Sequence, residues 1–325
     1  MLINAGETKN VGVELTVNTV NFSTKKFSWN TTLTLSHNKN SVKALTGEAV
    51  QLYEAKFGFN QNTHRIAVGE PLGQFYGYIT EGLYQVDDFN YDASTQTYTL
   101  KDGVPYHGDK GQIRPGMWKF KNLTGDDNVI DENDKTVIGN AQPKFYGGLN
   151  NSFTYKGFDL SIFLTFSYGN EVLNATKLVT SKVGSLNYNA LDVMNSSNRW
   201  MTINSDGQKV TDPGELAALN AGKTVAAYHD AQQGDNYIHS WAVEDASYLK
   251  LSNVTLGYTF PKNLIARVGL KNLRLYATGN NLLTWTKYSG FDPEVSTMKS
   301  GLTPGVDFGA YPLSRSFIFG LNVAF

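Results

Sequence analysis

The chain has 325 residues with 28 basic and 29 acidic side chains, and its formal net charge of -1 leaves no excess to attract a nucleic acid. It contains no cysteine, which excludes disulfides, thiolate metal sites and a cysteine nucleophile. Charged residues are 18%, below the roughly 25% of an average soluble domain, while aromatics reach 13% with 18 Tyr and 18 Phe, a composition that favours strands.

No window of about 18 consecutive apolar residues is present, which excludes a transmembrane helix; a membrane β-strand needs only about 9 to 11 alternating residues and stays open. The amino end, Met1 to Glu7, has no basic stretch followed by an apolar one. No export signal is expected there, and a chain working outside the cytoplasm would have its beginning elsewhere.

Taken in order, Val11, Val13, Leu15 and Val17 alternate with polar residues, and after a short turn Phe27, Trp29, Leu33 and Leu35 alternate with Ser, Thr and Asn. This predicts a hairpin with one apolar and one polar face. A weaker strand is expected at Asn62 to Val68 and an aromatic-rich one at Gln74 to Tyr84. The stretch from Gln85 to Pro143 breaks into Gly, Asp, Asn and Pro, far longer than the usual loop of a compact domain.

A second hairpin resumes at Phe145, Leu149, Phe153 and Tyr155, turns at Lys156-Gly157 and returns through Phe158, Leu160, Ile162, Leu164 and Phe166. The next insertion, from about Gly169 to Asp245, contains a predicted short helix: Asp212 caps it, Pro213 suits its first position, and Glu215 to Leu219 propagate it. Tyr248 to Phe260 switches phase near Asn253, which predicts a bulge or an end to the apolar belt. Leu273 to Asn280 and Ser314 to Phe325 are the remaining strands, separated by an insertion from Trp285 to Pro312.

In the last strand Phe317, Phe319, Leu321, Val323 and Phe325 share one face. At roughly 1.5 to 3 kcal/mol per large apolar side chain removed from water, covering them is worth on the order of 10 kcal/mol as an upper estimate. Either a second protein layer or lipid must do so.

Short and long connections alternate, so all short turns fall at one end of the strands and all long loops at the other. That is the pattern of an antiparallel transmembrane β-barrel with short periplasmic turns and long outer loops. About nine strands are expected; bacterial single-chain barrels are normally even-numbered, which suggests the carboxyl-terminal part of a larger barrel. Tyr155, Phe158, Tyr258 and Phe260 at one end, with Tyr168 and Trp285 at the other, fit interfacial girdles. The competing reading is a soluble β-rich carbohydrate-binding or adhesive module. It would pack Phe319 and Leu256 against a second layer and leave Thr255 and Asn322 in bulk solvent.

Six stretches carry a family resemblance: Asn4 to Glu7 with Gly12 to Leu15; Val68 to Tyr78; Val129 to Asp134 with Ile138-Gly139; Tyr155 to Leu160; Ala246 to Leu251 with Leu256 to Tyr258; and Lys287 to Glu294. Together they resemble the carboxyl-terminal half of a SusC/RagA-type TonB-dependent outer-membrane transporter. The resemblance implies a 22-stranded barrel with an amino-terminal plug, roughly the first half of the strands, the plug and the signal peptide being absent from this chain. It also implies an outer-membrane location in a Gram-negative bacterium, a SusD-like surface lipoprotein as partner, a TonB-ExbB-ExbD complex as energy source, and import of oligosaccharides or peptides.

Among candidate sites, Asp126, Asp127, Asn128, Asp131 and Asp134 form an acidic loop with hard oxygen ligands suited to Ca2+, although Asn128 stands near the required glycine; a solvated acidic turn is the alternative. Gly222-Lys223-Thr224 lacks the first glycine of a phosphate loop, because Ala217 stands there. The five histidines, His37, His64, His107, His229 and His239, show no metal spacing, and no nucleophile elbow exists, so an enzyme, such as an outer-membrane hydrolase, is not expected. Trp200, Trp241, Tyr188 and Tyr237 offer flat faces for stacking a sugar or meeting a partner, or simply pack within their loop. On the polar strand faces, Arg274 and Asp159 are candidates to bond a plug.

Overall fold

Alternation along each strand becomes a two-faced wall once the strands lock in register. The computed structural model describes residues 6–46, 50–54, 62–125, 127–181, 189–227, 237–297 and 300–325. Seven long strands form one sheet in chain order, each antiparallel to the next. They are β1 (Gly6–Ser23), β2 (Phe27–Leu45), β3 (Phe145–Tyr155), β4 (Phe158–Tyr168), β5 (Tyr248–Thr259), β6 (Asn272–Thr286) and β7 (Ser316–Ala324).

Register aligns like with like. One row across all seven strands reads Phe22, Trp29, Phe153, Leu160, Leu256, Ala277 and Phe319; another reads Val17, Leu33, Leu149, Leu164, Leu251 and Leu283. On the opposite face lies a polar row, Asn30, Ser152, Ser161, Thr255 and Thr278. No second protein layer covers the apolar face among the described residues: Phe319 is 80% exposed and Leu256 49%. Aromatic rings gather on this face at both ends, with Phe158 and Tyr258 centroids 4.5 Å apart and Phe145 and Tyr168 4.9 Å apart.

A polar inset interrupts the apolar face. Asn21 donates to Thr31 Oγ1 at 2.6 Å, and Thr31 Oγ1 and Trp29 Nε1 both donate to Asn151 Oδ1, at 2.7 and 3.0 Å. These groups satisfy one another, which is the condition for leaving them on an apolar surface.

The turns follow their residues. Lys156 and Gly157 both take positive φ, 46° and 90°, the combination a tight type I′ hairpin turn requires. The predicted phase switch is a bulge: register slips between Leu251 and Asn253, leaving Ser252 unpaired with its hydroxyl 2.7 Å from that of Thr165. The connection between β5 and β6 is longer than predicted, with a helical turn at Lys262–Ile265.

Two of the nine expected strands belong elsewhere. Asn62–Ala67 and Gln74–Gly77 pair with Val50–Glu54 and Thr136–Asn140 in a four-stranded sheet built within the first long loop. Removing two strands preserves the direction of every other one, so β2 and β3 pair directly. The second and third loops share a three-stranded sheet of Glu171–Asn174, Val243–Asp245 and Val306–Asp307. Among the described residues the second loop holds two α-helices, α1 (Ala175–Thr180) and the predicted α2 (Pro213–Leu219), whose Asp212 cap accepts from Glu215 N at 3.0 Å.

The three loops carry the core. Phe75, Leu173, Leu178, Ile238 and Val306 form one buried cluster with members from all three. The largest fully buried side chains, including Trp200, Tyr84, Phe120 and Ile113, all lie in loops and none in the wall.

On the polar face Arg274 and Asp159, the candidates to bond a plug, pair with each other across β5. Arg274 Nε donates to Asp159 Oδ1 at 3.0 Å and Nη2 to Oδ2 at 2.5 Å. Gly257 lies beneath, where a Cβ would stand 2.4 Å from Nη2 and 2.6 Å from Oδ1. Gly257→Val is therefore expected to displace the pair and destabilise the sheet by about 1–3 kcal/mol, measured by urea unfolding.

Candidate functional site

Where the polar face of the wall meets the three loops there is a cleft of about 450 Å³. Tyr146, Ser167 and Tyr248, in one row of the wall, supply one side. Gln142 and Pro143 come from the first loop, Asn170 and Glu171 from the second, and Pro293 to Ser296 from the third. Hydroxyls, carboxamides and carboxylates are interspersed with tyrosine rings, prolines and valines, and the apolar surface is the larger part of the lining. Such a lining can hold a polar ligand by hydrogen bonds and ring contacts.

Polar bonds to the second loop fix the third loop near its start. Glu244 accepts from Ser289 N and Ser289 Oγ, both at 2.9 Å, and pairs with Lys177 at 3.1 Å. Burial pushes the Glu244 carboxyl up, but the Ser289 bonds and the Lys177 charge outweigh it and hold the group below the usual carboxylate range. Nearby, buried Tyr288 donates to Asp307 Oδ2 at 2.6 Å; burial and that bond push its phenol far above the ordinary range.

The predicted aromatics come together, but as packing. Trp200 is 1% exposed, lying on Gly116 in a cluster with Tyr78, Trp118 and Phe120, so its faces are closed to a sugar ring. Tyr237 packs edge-on to Tyr78 and Phe120, at 5.3 and 5.9 Å. Trp241 packs on Trp118 at 4.9 Å and carries Lys177 Nζ 4.1 Å over its ring. Tyr188 lies outside the described residues.

Of the acidic loop's carboxylates Asp134 turns inward, while Asp127 and Asp131 stay exposed. Asp134 is fully buried, its Oδ1 accepting from Leu123 N, Thr124 N and Thr124 Oγ1 at 2.6, 3.0 and 3.1 Å, and its Oδ2 from Asp131 N at 2.8 Å. Asp131 is spent on Asn133, and Asp127 on Val129 N. Asn128 takes positive φ, 58°, and Asp126 lies outside the described residues. Asp134 is thus an anchor for backbone donors, neither an open cation ligand nor a solvated side chain. Among the described residues no three His, Asp or Glu side chains are grouped to hold a metal. Gly222-Lys223-Thr224 follows the end of α2 instead of opening a helix, so no phosphate cradle forms.

Sequence reasoning passed over the buried histidines. His107 sits among Tyr84, Phe120 and Tyr237 with no hydrogen-bond partner for either ring nitrogen among the described residues. His239 lies between Trp118 and Trp241, its Nδ1 2.8 Å from Thr80 Oγ1. His64 Nδ1 meets Thr63 Oγ1 at 2.8 Å and its Nε2 meets the Pro304 carbonyl at 2.9 Å. Burial lowers His64 and His107 to about 4 and His239 to about 3. Sequence spacing held no signal for them, because their neighbours come from different loops. Tyr248 and Glu294 did carry one, as members of the Ala246 to Leu251 and Lys287 to Glu294 stretches.

Two outcomes follow from these environments. Asp134→Asn is expected to cost about 1.5–3 kcal/mol by losing charged acceptors, with faster hydrogen exchange at Leu123 and Thr124. The second concerns acid. The three histidines are neutral in the fold, so their contribution is complete above the ordinary value of 6.5 and is lost as pH falls from there toward about 4 and 3. Hydrogen exchange in the loop core is expected to accelerate across that window while exchange in β3 to β5 does not.

No protein-family model matches the sequence. TonB-dependent receptor P3 of Formosa agariphila is 33% identical over 329 residues, 99% of this chain and 29% of that protein. TonB-dependent receptor P39 of the same organism is 30% identical, over 99% of this chain and 31% of the relative. TonB-dependent receptor SusC of Bacteroides thetaiotaomicron is 27% identical over the whole chain and 27% of its own length. The chain therefore spans about three tenths of the curated relatives it matches. Among solved structures, the RagAB peptide transporter superposes with a TM-score of 0.66 at 20% identity, covering 99% of this chain and 30% of that one. At that identity the likeness speaks for the fold. These relatives are receptors and transporters, not enzymes.

Proposed function

From its kinship over nearly its full length with SusC/RagA-type TonB-dependent receptors, we propose that the chain is the carboxyl-terminal wall and outer-loop portion of an outer-membrane importer. The seven strands line one side of a barrel, their apolar face on lipid and their polar face on the lumen. Strands outside this chain pair with the free edges of β1 and β7 and close the barrel. The long loops face outward, where a SusD-like lipoprotein meets them, and TonB energises passage through parts outside this chain.

The observation that carries this reading is the pairing of two facts: whole rows of the wall are apolar on one face and uncovered, while the buried core sits in the loops. A soluble module would reverse that arrangement, placing its core between sheet faces. The cargo is an oligosaccharide or a peptide. The polar groups of the cleft can bond either, RagAB is a peptide transporter, and the family resemblance implies oligosaccharides or peptides.

The chain's parent receptor is expected to partition with outer-membrane fractions and to require detergent for extraction; a monodisperse protein released without detergent would overturn the reading. Within it, Leu164→Arg, on the lipid face, should destabilise the barrel by about 2–4 kcal/mol, whereas Ser161→Arg, on the luminal face, should be tolerated. Unfolding in lipid vesicles measures both.

A further inference from the structure

Lys250 stands in β5 on the luminal face, opposite Thr165 of β4 and Thr284 of β6, and its residue is only 3% exposed. A lysine so buried needs partners. They come not from the wall but from the third loop, which bends back over the luminal face. Lys250 Nζ lies 3.4 Å from Asp292 Oδ1 and donates to Glu294 Oε2. Tyr248, two residues earlier on the same face, donates its hydroxyl to the same Glu294 carboxylate, and Lys250 Nζ lies 5.4 Å over its ring. The loop segment is itself pre-shaped: Asp292 Oδ1 also accepts from Glu294 N at 3.0 Å, and Val295 N donates to the Asp292 carbonyl at 3.2 Å.

The same loop is anchored on its other side by Ser289 on Glu244 and Tyr288 on Asp307. Between the two anchors Phe291 projects, 76% exposed. Past the Lys250 anchor, Pro293 to Ser296 form the third-loop side of the cleft. Lys250 supplies one charge against two carboxylates, so its removal leaves Asp292 and Glu294 facing each other without a cation among the described residues.

We propose that Lys250 is a positioning residue: it latches the Asp292 to Glu294 turn onto the luminal wall and thereby sets the width of the lumen mouth. Its role in passage rests on the importer reading; the latch itself does not. Two separate sequence stretches, Ala246 to Leu251 and Lys287 to Glu294, thereby act as halves of one device.

The test uses the full-length receptor, folded in detergent, with a single cysteine at Val295, which is partly buried against Val172 and Tyr288, and the rate of its modification by a bulky maleimide as readout, which needs no cargo. Lys250→Met is expected to raise that rate at least about tenfold, while Lys250→Arg, which keeps the charge, returns it close to the parent rate. The Asp292→Asn and Glu294→Gln double variant removes the latch from the loop side and should reproduce the Lys250→Met rate, also where Lys250→Met fails to fold. Heat-modifiable mobility on gels, which reports the closed barrel, should stay unchanged. An unchanged rate in the double variant, or failure of Lys250→Arg to restore protection, overturns the latch. A protein that needs no detergent overturns the importer reading instead.

Discussion

Cross-strand register is the constraint on which this molecule depends. Because successive residues in a strand point to opposite faces, a shift of one residue would turn an entire row over. Leu33, Leu149, Leu164 and Leu251 meet across four strands only at the observed register. The bulge at Ser252 is what maintains it: without the extra residue, Tyr248 and Lys250 on the luminal side would exchange places with Leu249 and Leu251.

The wall leaves the usual core-forming task undone, and the loops take it up. A sheet whose apolar side meets hydrocarbon gains nothing from a second protein layer, so the close-packed interior moves to segments in water. There, three loops far apart in sequence fold together. Backbone bonds such as Tyr78 N to the Ile238 carbonyl at 2.9 Å join the first loop to the second, and Thr297 N to the Val306 carbonyl at 2.9 Å closes the third. Buried histidines and buried carboxylates are concentrated in this region, where neighbouring donors and rings from several loops can serve them.

Glycine contributes through space as well as conformation. Gly257 on the luminal face makes room for the Asp159 and Arg274 pair, and Gly116 accommodates the indole of Trp200. At both positions a large or charged side chain lies where a Cβ would otherwise stand, so a small residue in one element is the counterpart of a large one in another.

The sequence by itself determined the alternation of the wall strands, the Lys156-Gly157 turn, the cap of the Asp212 helix, the phase switch near Asn253 and the order of short and long connections. All of these depend on neighbours within a few residues. It also carried both halves of the Lys250 anchor, without showing that they touch. Only the tertiary structure decided that Asn62–Ala67 and Gln74–Gly77 join a loop sheet and not the wall, because alternation looks the same whichever partner strand is present. It likewise decided that Trp200 is buried and that Asp134 serves backbone donors. Burial and hydrogen-bond partnership are properties of what converges on a residue in space, and the converging segments here are separated by up to a hundred residues or more of chain, a distance over which local pattern holds no information.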